Sequence, residues 1–186
     1  MIAQLIGKVT SKSATTVILD CNGIGFLVHV PFPFAQSINL NTEITIHIET
    51  VFGRNNMELY GFATERDKEI FNIITSVRGI GGRAGISILS RLTADEVMNA
   101  IDANQVELFK TIPGIGNKKA ETIVFNLRKS AEETASIPDS HKEIVVALRS
   151  LGLTQKEAMQ KISEITDWQK KSVADVIHEV LKRPNK

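Results

Sequence analysis

The sequence predicts a multidomain α+β protein with a small β-barrel first, an all-helical domain second and a three-helix bundle last. Three observations support this order. Up to residue 62, runs rich in branched residues alternate with turn signals, and at Thr64 the apolar spacing becomes helical. A glycine pattern then occurs twice, beginning at Gly79 and again at Gly114. A stretch poor in large apolar residues separates these copies from the last helical segment.

Five short strands are predicted in the first part of the chain: Ile2–Val9, Thr15–Asp20, Ile24–Val30, Glu43–Val51 and Glu58–Phe62. Turn-forming residues separate several of them, at 20–23, 31–33 and 53–56. Five strands in so short a segment favour a closed barrel of the OB type, because an open sheet would leave an unpaired edge. The barrel is predicted over residues 1–63.

An all-α domain is predicted over residues 64–130. The apolar face of its first helix comprises Ile70, Phe71, Ile73, Ile74 and Val77. Further helices are predicted over Arg83–Arg91, after a capping box at 93–96, over Asn104–Lys110 and over Lys118–Lys129.

The repeated glycine pattern reads Val-Arg-Gly-Ile-Gly at residues 77–81 and Ile-Pro-Gly-Ile-Gly at residues 112–116. A cation, Arg83 or Lys118, stands at the same offset from the second glycine of each copy. Glycines permit close approach to the backbone, and the helix that follows offers unpaired N–H groups and a positive dipole end. Together these features form an anion site.

A lone Gly-x-Gly is usually a helix end followed by a turn. Two matched copies instead indicate a tandem helix-hairpin-helix unit, which holds a nucleic-acid backbone without reading its sequence. The predicted DNA-binding residues are Gly79, Gly81, Arg83, Gly114, Gly116, Asn117, Lys118 and Lys119.

Residues 131–140 contain Pro138 and are predicted to form a flexible linker. Three helices follow within residues 141–186, at His141–Leu151, Thr154–Ile165 and Lys170–Leu181, and resemble a ubiquitin-associated (UBA-like) bundle. So small a bundle needs nearly all its apolar side chains for its core, which assigns Trp168 to the core. An exposed Trp168 would instead be an anchor for a partner protein.

Composition indicates a globular protein with little excess charge. Hydrophobic residues make up 42% of the chain, charged residues 23%, and the net charge is +1. No apolar run is long enough to span a membrane and no secretory signal is visible, so we expect a cytoplasmic protein without a membrane partner. The single cysteine, Cys21, excludes an internal disulfide and a cysteine metal cage, and we expect neither metal nor cofactor. Binding to nucleic acid would therefore depend on geometry or on several copies of the chain.

Three segments in this order resemble the RuvA family, the Holliday-junction-binding subunits of the bacterial branch migration complex. They are Leu59-Tyr60-Gly61-Phe62, the segment Leu108–Ala120, and the segment Ala147–Leu153 with the Glu157-Ala158 pair. The resemblance covers essentially the whole chain. It implies a non-catalytic subunit that binds four-way junction DNA and holds it open and square-planar.

The resemblance also implies partners. Members form homotetramers, which can pair as octamers, and their hairpins hold the backbones of the duplex arms. The C-terminal module docks onto RuvB, a hexameric ATPase, and RuvC resolvase belongs to the wider complex. In this chain the helix faces around Leu148, Leu151, Leu153 and Ala158 would supply core packing or RuvB contact, and the sequence leaves the choice open.

The chain departs from the family in one hairpin. Members carry two adjacent acids in the hairpin between the last two barrel strands, where they form a pin near the junction centre. The corresponding residues in this chain are Arg54 and Asn55. A surface turn that tolerates any polar residue is one interpretation. The other is that the centre attracts phosphate in this protein.

A DNA repair enzyme, either a glycosylase or a nuclease, is the alternative function, since helix-hairpin-helix units occur in both. Such enzymes need a catalytic carboxylate or lysine at the reacting group. Glu121, Glu132 and Glu133 follow the second hairpin but do not suggest a two-metal site. The sequence contains no Gly-x-x-x-x-Gly-Lys-Ser/Thr motif, so ATP hydrolysis is assigned to a partner.

Overall fold

The computed structural model describes residues 1–53, 56–135 and 139–182. The chain forms two compact units, Met1–Lys129 and Ser130–Lys186. The first unit contains the strands and both glycine hairpins, and the second contains the C-terminal helices. Among the described residues, no helix combines the length and the apolar content that crossing a bilayer requires.

The first unit begins with a closed five-stranded barrel. Its strands are β1 (Gln4–Lys12), β2 (Thr16–Cys21), β3 (Ile24–His29), β4 (Glu43–Phe52) and β5 (Met57–Phe62), in the order β1-β2-β3-β5-β4. Strand β4 pairs with β1 and closes the barrel, and the β3–β5 pairing alone is parallel. Alternate residues such as Val17, Leu19 and Val28 point inward and are fully buried. The predicted barrel is confirmed, and its strand ends differ from the prediction by at most three residues.

A short helix, α1 (Phe32–Ser37), lies between β3 and β4, where the sequence predicted only a turn at residues 31–33. That prediction was wrong. Proline is tolerated in the first helical turn, because the N–H it lacks would have no intrahelical partner there. The Lys12 Nζ of β1 donates to the carbonyl oxygens of Ala35 and Ile38 at the other end of the helix, at 3.2 and 2.5 Å. Both of those residues are buried against the barrel core.

Five helices complete the first unit: α2 (Glu65–Thr75), α3 (Gly82–Leu89), α4 (Ala94–Asp102), α5 (Val106–Lys110) and α6 (Asn117–Ala135), the last of which continues past Lys129. The predicted apolar face of α2 is buried except at Ile73, which is 38% exposed, and the Thr93–Glu96 capping box at the start of α4 is present. Tyr60 and Phe62 of β5 pack on Phe71 of α2, with ring centroids 5.0 and 4.9 Å apart. The last barrel strand therefore contributes directly to the helical core.

The second unit contains α7 (Asp139–Ser150), α8 (Gln155–Ser163), a 3₁₀ helix (Trp168–Lys170) and α9 (Val173–Lys182). Trp168 is 7% exposed and lies in the core of this unit, as predicted. Helix α9 begins three residues later than predicted, because Trp168–Lys170 forms a separate turn. The predicted linker is helical at residues 131–135 and 139–140 and differs there from the prediction, while residues 136–138 lie outside the described residues.

Candidate nucleic-acid interface

The two glycine hairpins have the same backbone geometry. Their first glycines have positive φ angles, +89° at Gly79 and +83° at Gly114, a region that glycine enters without steric cost. A 3.0 Å hydrogen bond from the Ile80 amide to the Val77 carbonyl closes the first turn, and the equivalent pair closes the second at the same distance. The repeat in the sequence is therefore a repeat in structure.

Buried isoleucines hold both hairpins in place. Ile80 is 5% exposed and Ile115 is 3% exposed, and both belong to the helical core, together with Val77 and Ile112. Because the apolar residues of each pattern point inward, the intervening glycines lie at the surface. The core thus fixes the position of the outward-facing backbone.

The second glycines, Gly81 and Gly116, face open space. Gly81 has a φ of −96° and a ψ of 175°, angles that any residue adopts, and Gly116 also lacks a positive φ. A Cβ at either position would meet no described atom within 4 Å. Glycine is accepted as an N-cap, but serine, threonine, asparagine and aspartate serve that position at least as well. The described residues therefore impose no steric or conformational requirement for glycine at these positions, and both leave the backbone open to close approach.

The amides of these glycines are available to a ligand. Among the residues that the structure describes, none accepts a hydrogen bond from the backbone N–H of Gly79, Gly81, Gly114 or Gly116. Helices α3 and α6 begin directly after the second glycines. The first N–H groups and the positive dipole end of each helix therefore lie beside the glycine amides of its hairpin. Each hairpin can therefore bind an anion.

Three predicted cations lie beside the hairpins, and their side chains have different surroundings. Arg83, at the start of α3, contacts the Glu58 Oε1 at 3.4 Å. Lys119 donates from Nζ to the Gly114 carbonyl at 3.2 Å, so it contacts the second hairpin itself. Lys118 is exposed at the position equivalent to Arg83, as is its neighbour Asn117, the first residue of α6.

The contacts that Tyr60 and Glu58 make next to the first hairpin were not predicted from the sequence. The Tyr60 ring lies against Gly82, the first residue of α3, where any Cβ would overlap it. The Tyr60 hydroxyl donates to the Glu58 Oε2 at 2.6 Å. This hydrogen bond, and then the charge of Arg83, lower the pKa of the Glu58 carboxyl. The period-two spacing in β5 could have shown that Tyr60 and Glu58 share a face, but no local signal indicates Arg83.

A cleft of about 380 Å³ opens between the barrel and α3. Thr16 and His29 of the barrel line one side, and Arg91 follows α3 on the other. Arg83 and Pro113, one residue near each hairpin, also line it. The barrel and both hairpins therefore share one continuous surface within the first unit.

Comparisons with known proteins match this architecture. Residues 1–61 match the family described as the RuvA N terminal domain, and residues 71–129 match the SAM-like helix-hairpin-helix tandem. The Holliday junction branch migration complex subunit RuvA of Rickettsia canadensis is 34% identical over 199 residues, which cover 100% of this chain and 98% of that protein. The chain belongs to the RuvA family. The RuvA subunits of Rickettsia prowazekii and Geotalea daltonii are 35% and 32% identical over 196 residues, and each alignment covers at least 98% of both chains.

In this RuvA-family chain, burial shows which of the residues predicted for core packing or partner contact lie in the core and which lie at the surface. Leu148 and Ala158 are fully buried in the second unit, so both serve its core. Leu153 packs partly against that core. Leu151 is 54% exposed and Val146, on α7, is 61% exposed. Of the four predicted residues, Leu151 alone presents most of its side chain at the surface of the second unit.

Arg54 and Asn55, which the sequence predicted to stand at the pin positions, lie outside the described residues. The strand ends beside them are exposed: Phe52 closes β4 with 66% exposure, and Met57 opens β5 with 52%. Two large apolar side chains therefore flank the pin positions at the surface of the barrel.

Proposed function

We propose that this chain binds four-way DNA junctions, holds them open and square-planar, and recruits an ATPase that drives branch migration in recombination and repair. The observation that supports this function is the pair of geometrically equivalent hairpins with unpaired amides beside an OB-type barrel. Two anion sites in one compact unit suit a double-stranded backbone better than a single small ligand. The relatives named as Holliday junction branch migration complex subunits support the same assignment.

The proposed partners follow from charge and from the separate second unit. One chain has a net charge of only +1, so a homotetramer, alone or paired as an octamer, would multiply the weak phosphate contacts of each copy. The second unit would bind the RuvB ATPase through the surface around Leu151 and Val146, and RuvC resolvase would join the wider complex. A cytoplasmic location is part of this proposal.

The role proposed for the chain is that of a binding subunit and not of an enzyme. The relatives are named as subunits of a complex, which supports binding over glycosylase or nuclease chemistry. Incubation of the protein with labelled junction, nicked duplex and base-damaged duplex in Mg²⁺ should leave all three intact. Native mass spectrometry of the same samples should show a tetramer or octamer on the junction. Cleavage of any substrate, or a single chain on the junction, would contradict the proposal.

The altered pin is proposed to attract phosphate at the junction centre. The pair Arg54 and Asn55 carries +1 per chain, where two acids would carry −2. Changing Arg54→Glu together with Asn55→Asp should therefore weaken junction binding by about tenfold at low salt and by less at high salt, since salt screens exposed charges. Junction titrations at two salt concentrations measure this effect. Arg54→Gln, which removes the cation without adding an acid, should give a smaller loss, and unchanged affinity in both variants would refute the idea.

A further inference from the structure

We propose that the Glu58 carboxylate competes with DNA phosphate for Arg83 and so weakens the first hairpin relative to the second. The inference rests on the proposed function, because it assumes that both hairpins bind phosphate. Glu58 would then lower the affinity for junction DNA, although it belongs to the barrel and lies outside the glycine pattern.

The carboxylate is held in a fixed position. Glu58 has a side chain that is only 24% exposed, and its Oε2 accepts the short hydrogen bond from the Tyr60 hydroxyl. Tyr60 is itself 1% exposed and packs between His29, at 5.4 Å between ring centroids, and Phe71. The Tyr60 ring also lies against Gly82, so Tyr60 is fixed by its packing. The Glu58 carboxylate to which it donates is therefore held beside the first hairpin.

The arginine, in contrast, is free to exchange partners. The Arg83 side chain is 83% exposed, and one contact of 3.4 Å joins it to the Glu58 Oε1. Exposed ion pairs of this kind contribute little free energy, because water and salt screen them. A DNA phosphate offers the guanidinium two oxygens and also receives the unpaired hairpin amides, so it can displace the carboxylate.

Within the described part of the chain, the second hairpin has no ion pair of this kind. Lys118 stands at the position equivalent to Arg83, and among the described residues no carboxylate lies within ion-pair distance of it. Its neighbour Lys119 contacts the carbonyl of Gly114, a neutral acceptor. Two hairpins with matched backbones thus differ in the charge next to their cations. The first hairpin should contribute less to binding than its geometry allows.

The test is a double-mutant cycle on junction affinity. Glu58→Gln keeps an acceptor for the Tyr60 hydroxyl and removes the charge, so it should raise affinity about three- to tenfold at low salt. In the Arg83→Gln background the same change should have a much smaller effect, whereas in the Lys118→Gln background it should keep its full effect. Glu69→Gln, an exposed α2 residue that pairs with Arg66, removes the same charge elsewhere and serves as the matched control.

Two results would overturn the inference. One is unchanged or lower affinity in a folded Glu58→Gln variant, with folding checked by thermal unfolding. The other is an equal gain with and without Arg83, which would mean that Glu58 acts only through net charge. Failure of the proposed function looks different, since the unmodified protein would then bind no junction and Lys118→Gln would change nothing.

Discussion

Replacing Gly81 and Gly116 together with valine is expected to lower junction affinity by about 100-fold or more without unfolding the protein. Both glycines have backbone angles outside the left-handed region, and a Cβ at either position would meet no described atom within 4 Å, so we expect the free protein to accept valine. Its side chain would occupy the space through which a phosphate approaches the hairpin amides. Hydrogen bonds to charged groups contribute about 1.5–3 kcal/mol each, so losing one bond per hairpin already costs about a factor of ten per hairpin.

Gly25→Val provides the matched control for this variant. Gly25 is exposed in β3, and a Cβ there would lie 3.5 Å from the Ile18 Cγ2, an ordinary contact. We expect this control to bind junction DNA like the unmodified protein, in the same titration and with a similar melting temperature. Equal affinity of the double variant and the control would show that the hairpin backbones do not meet phosphate.

Deleting the chain from Ser140 onward is expected to abolish ATPase-driven branch migration while changing junction affinity by less than about twofold. The second unit has its own core around Leu148, Ile162 and Trp168, and the barrel and both hairpins belong to the first unit. Removing the second unit therefore leaves the proposed DNA-binding surface in place. Migration of a labelled junction with RuvB and ATP, together with a gel shift, measures both quantities.

Point variants distinguish loss of a contact with the ATPase from loss of the whole second unit. Leu151→Asp changes an exposed side chain and should reduce coupling to the ATPase in a folded protein, whereas Leu148→Asp should unfold the second unit because Leu148 is fully buried. Migration that persists after the deletion would contradict the assignment of the partner site. Loss of junction binding after the deletion would contradict the division of roles between the units.

The parts of the fold that were predictable are those whose cause is local. The hairpins could be recognised because the positive φ at Gly79 and Gly114 favours glycine, and because the same pattern of apolar and glycine residues occurs twice at matched spacing. The barrel strands follow from period-two burial, as at Val17 and Leu19.

The parts that were missed depend on contacts between residues distant in sequence. Helix α1 is stabilised by Lys12 of β1, whose ammonium group donates to the carbonyl oxygens of Ala35 and Ile38. The contact of Glu58 with Arg83 spans 25 positions and depends on how β5 packs against α3. No pattern within one segment could indicate either contact, and the second one changes the electrostatics of the candidate site.

Junction binding by the unmodified protein is tested by competition between a four-way junction and linear duplex of equal length. We expect junction to displace duplex and excess duplex to fail to displace junction, because several pairs of hairpins would hold one branched ligand at once. The preference should weaken when Gly81 and Gly116 are both valine. Equal affinity for the two DNAs would contradict the claim that this chain is a junction-binding subunit.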